Sequence, residues 1–214
     1  MPPGRIELPP LVPKTSTLSV KLWGLIIYYT KSMVGLIFYI SLLIILTIFL
    51  LITTIFFLSL IYSSSLGSPY IPSKQKEVDN IFKEARLKKG KIFLELGCGD
   101  GRVVRTAICQ YGVKGIGVDI NPILIFYAKI LAKFQKIKNI ELRVENIFDT
   151  KLSNADYIYL FLMPALIGKL KIKMDKELKK GVIIISHGFP IIGWEKKMYH
   201  KIPHSPFPTY FYRT

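Results

Sequence analysis

The chain has 214 residues, half of them apolar, with 30 Lys+Arg against 14 Asp+Glu and a mean hydropathy of +0.36. That combination excludes a disordered chain, a disulfide scaffold (the only cysteines are Cys98 and Cys109) and a plain soluble monomer. Charge and hydropathy are segregated: no charged residue lies between Lys31 and Lys74, whereas 26 basic and 13 acidic residues follow from Lys74 onward.

Residues 1–32 form a Pro-containing tail that ends in an interfacial segment. Trp23, Tyr28 and Tyr29, flanked by Lys21 and Lys31, suit the headgroup layer, where amphipathic rings are favoured. Met33–Tyr62 is a run of thirty residues whose polar members are only Ser and Thr. A bilayer core needs about 20 apolar residues as a helix, so this run predicts one transmembrane helix and is too short for two. A buried core helix or a signal-peptide apolar region is the alternative, but both usually run to about 10–15 residues. Ser63–Ser68 could serve as a weak cleavage site. Lys14, Lys21 and Lys31 before the span, against Lys74 and Lys76 after it, lean slightly toward a cytoplasmic N-terminus.

Residues 63–72 read as a linker and 73–214 as a folded domain. Ser73 is a candidate N-cap, followed by Val78, Ile81, Phe82 and Ala85 at helical spacing. A strand is predicted over 92–96, a loop GCGDG, and a helix over 102–111. A strand over 114–120 and a helix over 122–135 follow, with Pro122 in the first turn. Next come strands over 139–144 and 156–163, a helix over 165–180 and a strand over 182–186. TYFYRT (209–214) predicts a further, antiparallel edge strand. Short apolar strands alternating with helices imply a parallel sheet covered on both faces.

The chemistry concentrates in Glu95-Leu96-Gly97-Cys98-Gly99-Asp100-Gly101, between the first strand and its helix. Glycines there permit a tight turn and let a ligand reach the backbone beside a helix N-terminus. Asp119 ends the second strand, where a doubly wound sheet places a carboxylate for ribose hydroxyls. A dinucleotide site would want G-x-G-x-x-G, but the spacing is G-x-G-x-G and position 102 is Arg. The acidic residue before the loop suits a ligand with a cationic methionine end better than a pyrophosphate.

At this point the sequence resembles the class I S-adenosylmethionine-dependent methyltransferases. The resemblance implies an α/β, Rossmann-like, doubly wound and mostly parallel sheet, here preceded by a single transmembrane helix. It also implies S-adenosyl-L-methionine as cofactor, with Glu95, Gly97, Gly99, Asp100 and Gly101 around its methionine and ribose and Asp119 on the ribose. Asn146 and Ile147 would flank adenine, although an ordinary Asx turn accounts for Asn146 nearly as well. A narrower resemblance rests on PYIPS, LELGCGDGR, YLFLMP and SHGFPIIGW. These are similar to a small group of protein-lysine methyltransferases, both archaeal and mitochondrial, the latter acting on the c-ring protein of ATP synthase and the adenine nucleotide translocase. Mitochondrial members also carry an apolar segment ahead of the catalytic domain.

The expected reaction transfers a methyl group to a lysine amine. An amine with an ordinary pKa near 10.4 must first lose its proton, and the site must align it and exclude water. The segment Tyr159–Pro164, with Pro164 at its end, and Ser186, His187 and Trp194 are the catalytic candidates, through carbonyls or hydroxyls that can orient the amine. His187 reads either as a general base or as a packed histidine, and Trp194 as the wall of a lysine channel or a cover over the sheet edge. No metal is expected, since His200 and His204 lack a ligand set. Leu162-Met163-Pro164-Ala165 departs from the Asn/Asp-Pro-Pro-aromatic pattern of nucleobase amino methyltransferases.

Ten lysines crowd two helices: 129, 133, 136 and 138 on one, and 169, 171, 173, 176, 179 and 180 on the other. They predict contact with anionic lipid headgroups at about 1 kcal/mol per nearby cation, and no nucleic acid, because aromatic residues are not interleaved as a stacking surface would need. An ordinary solvated surface is the plainer alternative. The expectation is therefore a single-pass membrane protein. Its catalytic domain would face the cytoplasm or an organellar matrix, where the cofactor is made, and its substrate would be a membrane-embedded protein with an accessible lysine. Methylation of a lipid headgroup or amphipathic amine, and a non-catalytic cofactor-binding module, are the rivals.

Overall fold

A computed structural model describes residues 17–65 and 69–214, so the first half of the N-terminal tail and part of the serine-rich linker, with its weak cleavage signal, lie outside the described residues. The chain divides into two compact units, the second beginning at Ile55.

The first element, α1 (Thr17–Ser65), is one helix of 49 residues. The interfacial segment and the apolar run belong to the same helix, because no proline interrupts 17–65. Its apolar side chains from Val20 to Leu58 are exposed, for example Phe38 and Leu50. The hydroxyls of Thr30, Ser41, Thr47, Thr53, Thr54, Ser59 and Ser64 each donate to a carbonyl one turn back. Those internal bonds remove the desolvation cost of a hydroxyl on an apolar helix. At about 1.5 Å per residue, such a helix is more than twice as long as a ~30 Å hydrocarbon core.

The second unit contains α2 (Gln75–Ala85), β1 (Ile92–Leu96), α3 (Arg102–Tyr111), β2 (Lys114–Asp119) and α4 (Pro122–Phe134). These are followed by β3 (Ile140–Val144), β4 (Tyr157–Leu160), α5 (Pro164–Glu177), β5 (Ile183–His187), β6 (Met198–Ile202) and β7 (Thr209–Arg213). The sheet order is β3-β2-β1-β4-β5-β7-β6. β1 to β5 pair in parallel, while β7 is antiparallel to both β5 and β6. The C-terminal strand is thus antiparallel, as its pattern suggested, but it is not an edge. β6, which the sequence pattern does not reveal, lies outside it. Its residues MYHKI are mostly exposed and offer no apolar alternation to read.

Two apolar layers flank the sheet. Val78, Ile81 and Phe82 of α2, Val104 and Ala107 of α3 and Ile125 and Ala128 of α4 pack on one face. Ile167, Leu170 and Met174 of α5 cover the other, joined by Leu152 and Trp194. The helix signals were correct in kind, with one local correction. The N-cap of α2 is Lys74 and makes no side-chain cap bond, whereas Ser73 turns inward, its hydroxyl 3.5 Å from that of Tyr159.

Candidate active site

The strand order reverses between β1 and β4, and in open α/β sheets a ligand crevice forms outside the carboxyl ends of the strands at such a reversal. A cavity of about 310 Å³ lies there, and the glycine loop forms its floor.

The loop owes its shape to two backbone constraints. Gly99 has φ +52, and a Cβ built on it would stand 2.7 Å from the Tyr70 ring, so only glycine lets the aromatic ring close over the loop. Its N–H donates to Asp119 Oδ2 at 2.8 Å, which ties the loop to the end of β2. Asp119 Oδ1 accepts from the Asn121 N–H, also at 2.8 Å. Burial raises the Asp119 pKa, and the backbone donors at Asn121 and Gly99 partly offset this.

Glu95 is buried, and its Oε2 accepts from the Val104 N–H at 2.8 Å, inside the first turn of α3. Burial holds its carboxyl well above the usual range, with the fields of Asp100 and Asp119 adding to the rise. Asp100 accepts from the Arg102 N–H at 2.9 Å and pairs with its guanidinium at 3.4 Å. Three acidic side chains therefore line the cavity together, and the charge of Asp100 and Asp119 favours a ligand carrying positive charge over a pyrophosphate.

Of the residues expected at the cofactor, Glu95, Gly97, Gly99, Asp100, Asp119, Asn146 and Ile147 line the cavity. Gly101 does not. A Cβ there would meet the Ala128 side chain at 3.3 Å, so this glycine serves helix packing. Asn146 sits at the cavity and also forms an Asx turn, its Oδ1 accepting from the Phe148 N–H at 3.0 Å. The two readings of Asn146 are compatible.

Of the catalytic candidates, Tyr159, Phe161 and Leu162 of the 159–164 segment line the cavity, whereas Pro164, Ser186, His187 and Trp194 do not, although the His187 ring packs 4.6 Å from that of Phe161 and 6.3 Å from that of Tyr159. Pro164 opens α5. Ser186 donates its hydroxyl to the Phe189 carbonyl at 2.6 Å. His187 is buried with Nδ1 2.8 Å from Thr209 Oγ1, and burial and His204 push its pKa down to about 4, outweighing the Glu77 carboxylate 3.8 Å away. The Trp194 indole N–H donates to Asp175 at 2.9 Å and its ring meets Tyr212 edge-on, over the sheet. The packed-histidine and sheet-cover readings are the ones this geometry matches.

Apart from the 159–164 segment, sequence reasoning passed over the residues that face the loop. Pro69, Tyr70, Ile71, Pro72 and Ser73 line the cavity opposite the glycines. Tyr70 is hydrogen-bonded to Asp100, and burial together with that carboxylate pushes its hydroxyl up to about 12. Arg102 donates to the Ser73 carbonyl at 3.2 Å, binding this segment to the loop. Tyr159, Phe161, Leu162, Leu166 and Lys169 complete an aromatic and apolar wall with one cation at its rim, and Ser63, near the end of α1, also lines the cavity. The only available signal for the covering segment was the Pro-Tyr-Ile-Pro spelling itself.

A family model described as the ANTKMT methyltransferase domain matches residues 95–198. A protein-lysine N-methyltransferase of Saccharolobus islandicus is 36% identical over 138 residues, which covers 63% of this chain and 84% of that protein. The adenine nucleotide translocase lysine N-methyltransferase of Mus musculus is 28% identical over 129 residues, 59% of this chain, and the match spans little more than half (56%) of its length. Among solved structures, an RNA methyltransferase from Salinibacter ruber in complex with S-adenosyl-L-homocysteine superposes with a TM-score of 0.64 at 26% identity, covering 67% of this chain and 93% of that one.

Proposed function

Because the chain belongs to the family of S-adenosylmethionine-dependent protein-lysine methyltransferases, we propose that it is anchored in a membrane by α1 and methylates a lysine on a protein held in or at that membrane. The observation that carries the reading is the direct passage from apolar helix to cavity. Within the second unit, Ser59 of α1 is hydrogen-bonded to Asn121 at 3.0 Å and Ser63 lines the cavity, so the acceptor site opens beside the end of an uncharged helix.

The residues fit the cofactor. Asp119 and the Gly99 backbone would hold the ribose, and Asn146, Ile147 and Phe148 would flank adenine. Glu95 and Asp100 would receive the positive methionine end, with Arg102 near its carboxylate. When bound, S-adenosylmethionine supplies a methyl group already activated by a sulfonium, so the protein's task is placement. Tyr70, Tyr159, Phe161 and Leu162 exclude water from the amine's path. Desolvation by that wall and the like charge of Lys169 both disfavour an ammonium, so the incoming lysine sheds its proton on entry and arrives as a neutral nucleophile. No side chain need be a strong base, which suits a site where His187 packs behind Tyr159 and Phe161 and does not line the cavity. The catalytic domain faces the cytoplasm or matrix, in keeping with the unpaired Cys98 and Cys109.

Incubating the full chain with labelled cofactor and native membranes tests the reading. The expected label is in a protein band, released on hydrolysis as methyl-lysine. Label confined to the lipid extract supports a headgroup methyltransferase instead, and binding without transfer supports a non-catalytic module. Release of the chain by alkaline extraction, or digestion of the C-terminal domain by external protease on sealed cells, overturns the anchoring or its orientation.

A further inference from the structure

The outer face of α4 is unusual for a helix covering a sheet. Its inner side buries Leu124, Ile125, Ala128 and Ala132. The opposite side is also apolar: Phe126, Tyr127 and Phe134 are 66%, 47% and 80% exposed, with Ile123 and Ile130 half-buried beside them. The spacing 123, 126, 127, 130 and 134 is a helical stripe of its own, turned away from the core. Lys129 and Lys133 flank it, and Lys136 and Lys138 follow its C-terminal end, all exposed. Aromatic residues are therefore interleaved with lysines on this helix, contrary to the expectation from sequence.

We propose that this face of α4 lies on an anionic lipid surface as a second, peripheral membrane contact. The inference rests on the reading of α1 as a membrane anchor. Two features select lipid as the occupant. A second copy of the chain would oppose four lysines to four lysines, whereas anionic headgroups neutralise them, and an apolar stripe rimmed by lysine is the make-up of a helix lying in the interface. The second is continuity. Asn121, fully buried at the N-cap of α4, accepts from the N–H groups of Ile123 and Leu124 and donates through Nδ2 to the carbonyl of Ser59 in α1. One side chain thus fixes the start of α4 against the end of the uncharged helix. The contact would hold the cavity, which Leu124 and Ser63 both line, close to the bilayer surface.

The test uses the full chain with F134W in a W23F background, so that the buried Trp194 is the internal reference. The protein is reconstituted in vesicles of chain-brominated phosphatidylcholine, with or without phosphatidylglycerol, and quenching is read before an alkaline wash. Emission from the new tryptophan should fall about twofold in the anionic vesicles, because an interfacial side chain reaches the brominated acyl boundary. K129E/K133E should abolish the effect. Quenching no greater than in the W23F parent, or equal in the two lipids, overturns the proposal. So does an emission shift that appears only with rising protein concentration or with added single-stranded RNA, pointing to self-association or nucleic acid. Loss of the chain in the alkaline wash would refute the anchor alone, since the quenching already decides the α4 contact.

Discussion

Gly99→Ala combined with Tyr70→Ala measures the closure of the Pro-Tyr-Ile-Pro segment over the glycine loop. An alanine at Gly99 must adopt φ +52, a left-handed conformation that costs an L-residue about 1–2 kcal/mol. Its Cβ would also stand 2.7 and 2.8 Å from two Tyr70 ring carbons, against an ordinary separation of about 3.5–4 Å. The ring must then retreat by about an ångström and give up its hydrogen bond to Asp100, worth about 1.5 kcal/mol for a half-exposed donor to a carboxylate. In the Tyr70→Ala background the backbone cost persists while the collision and the lost hydrogen bond vanish. Gly99→Ala should therefore destabilise the parent by about 3 kcal/mol and the Tyr70→Ala variant by about half as much. Denaturant unfolding of the four proteins in detergent gives the coupling, and calorimetry with the cofactor should show affinity falling in both Gly99→Ala proteins. Additivity within about 0.5 kcal/mol would mean that Tyr70 does not rest on Gly99 and that the segment does not cover the loop.

Asp119→Ala should weaken cofactor binding about 10- to 150-fold, through loss of a charged hydrogen bond worth about 1.5–3 kcal/mol. It should also lower the melting temperature, because the Gly99 and Asn121 N–H groups lose their acceptor; unchanged affinity in a folded variant removes Asp119 from the site. Asn121→Ser should keep the α4 cap while loosening the hold on Ser59, giving near-parental stability but faster proteolysis between Ser59 and Lys74, whereas Asn121→Ala should also lose about 1 kcal/mol of capping. Equal cleavage rates in parent and Asn121→Ser would dissolve the tie. His187 is held neutral in the fold with its pKa lowered from the ordinary 6.5 to about 4, so its contribution is complete above pH 6.5 and is lost as the pH falls toward 4, by up to about 3 kcal/mol. Thermal melts from pH 7 to 4 should therefore decline less steeply for His187→Gln than for the parent, and parallel curves would show that His187 does not govern acid stability.

The sequence by itself determined the parts set by local rules. Short apolar runs placed β1 to β5, because strands buried on both faces read as nearly continuous apolar residues, and period-3.6 patterns placed α2 to α5, because helices buried on one face carry that spacing. The uncharged run predicted a helix over 33–62, within the longer α1, since thirty residues without charge or proline suit one continuous helix. Glu95, Gly97, Gly99 and Asp100 were legible because the loop that forms the cavity floor joins consecutive elements, so its chemistry is written within one short segment, and Asp119 was legible because it ends the next strand. Only the tertiary structure decided the opposite wall. Tyr70 meets Gly99, and Leu166 and Lys169 join the cavity, through packing across the sheet that no spacing encodes. His187 and Trp194 looked functional from residue type, yet His187 Nδ1 and the Trp194 indole N–H are taken up by Thr209 and Asp175, partners 22 and 19 residues away in the chain. β6 has too little burial to show a pattern and exists because β7 offers it an edge. The outer face of α4 carried two apolar stripes in one sequence, and burial alone reveals which of them the fold left uncovered.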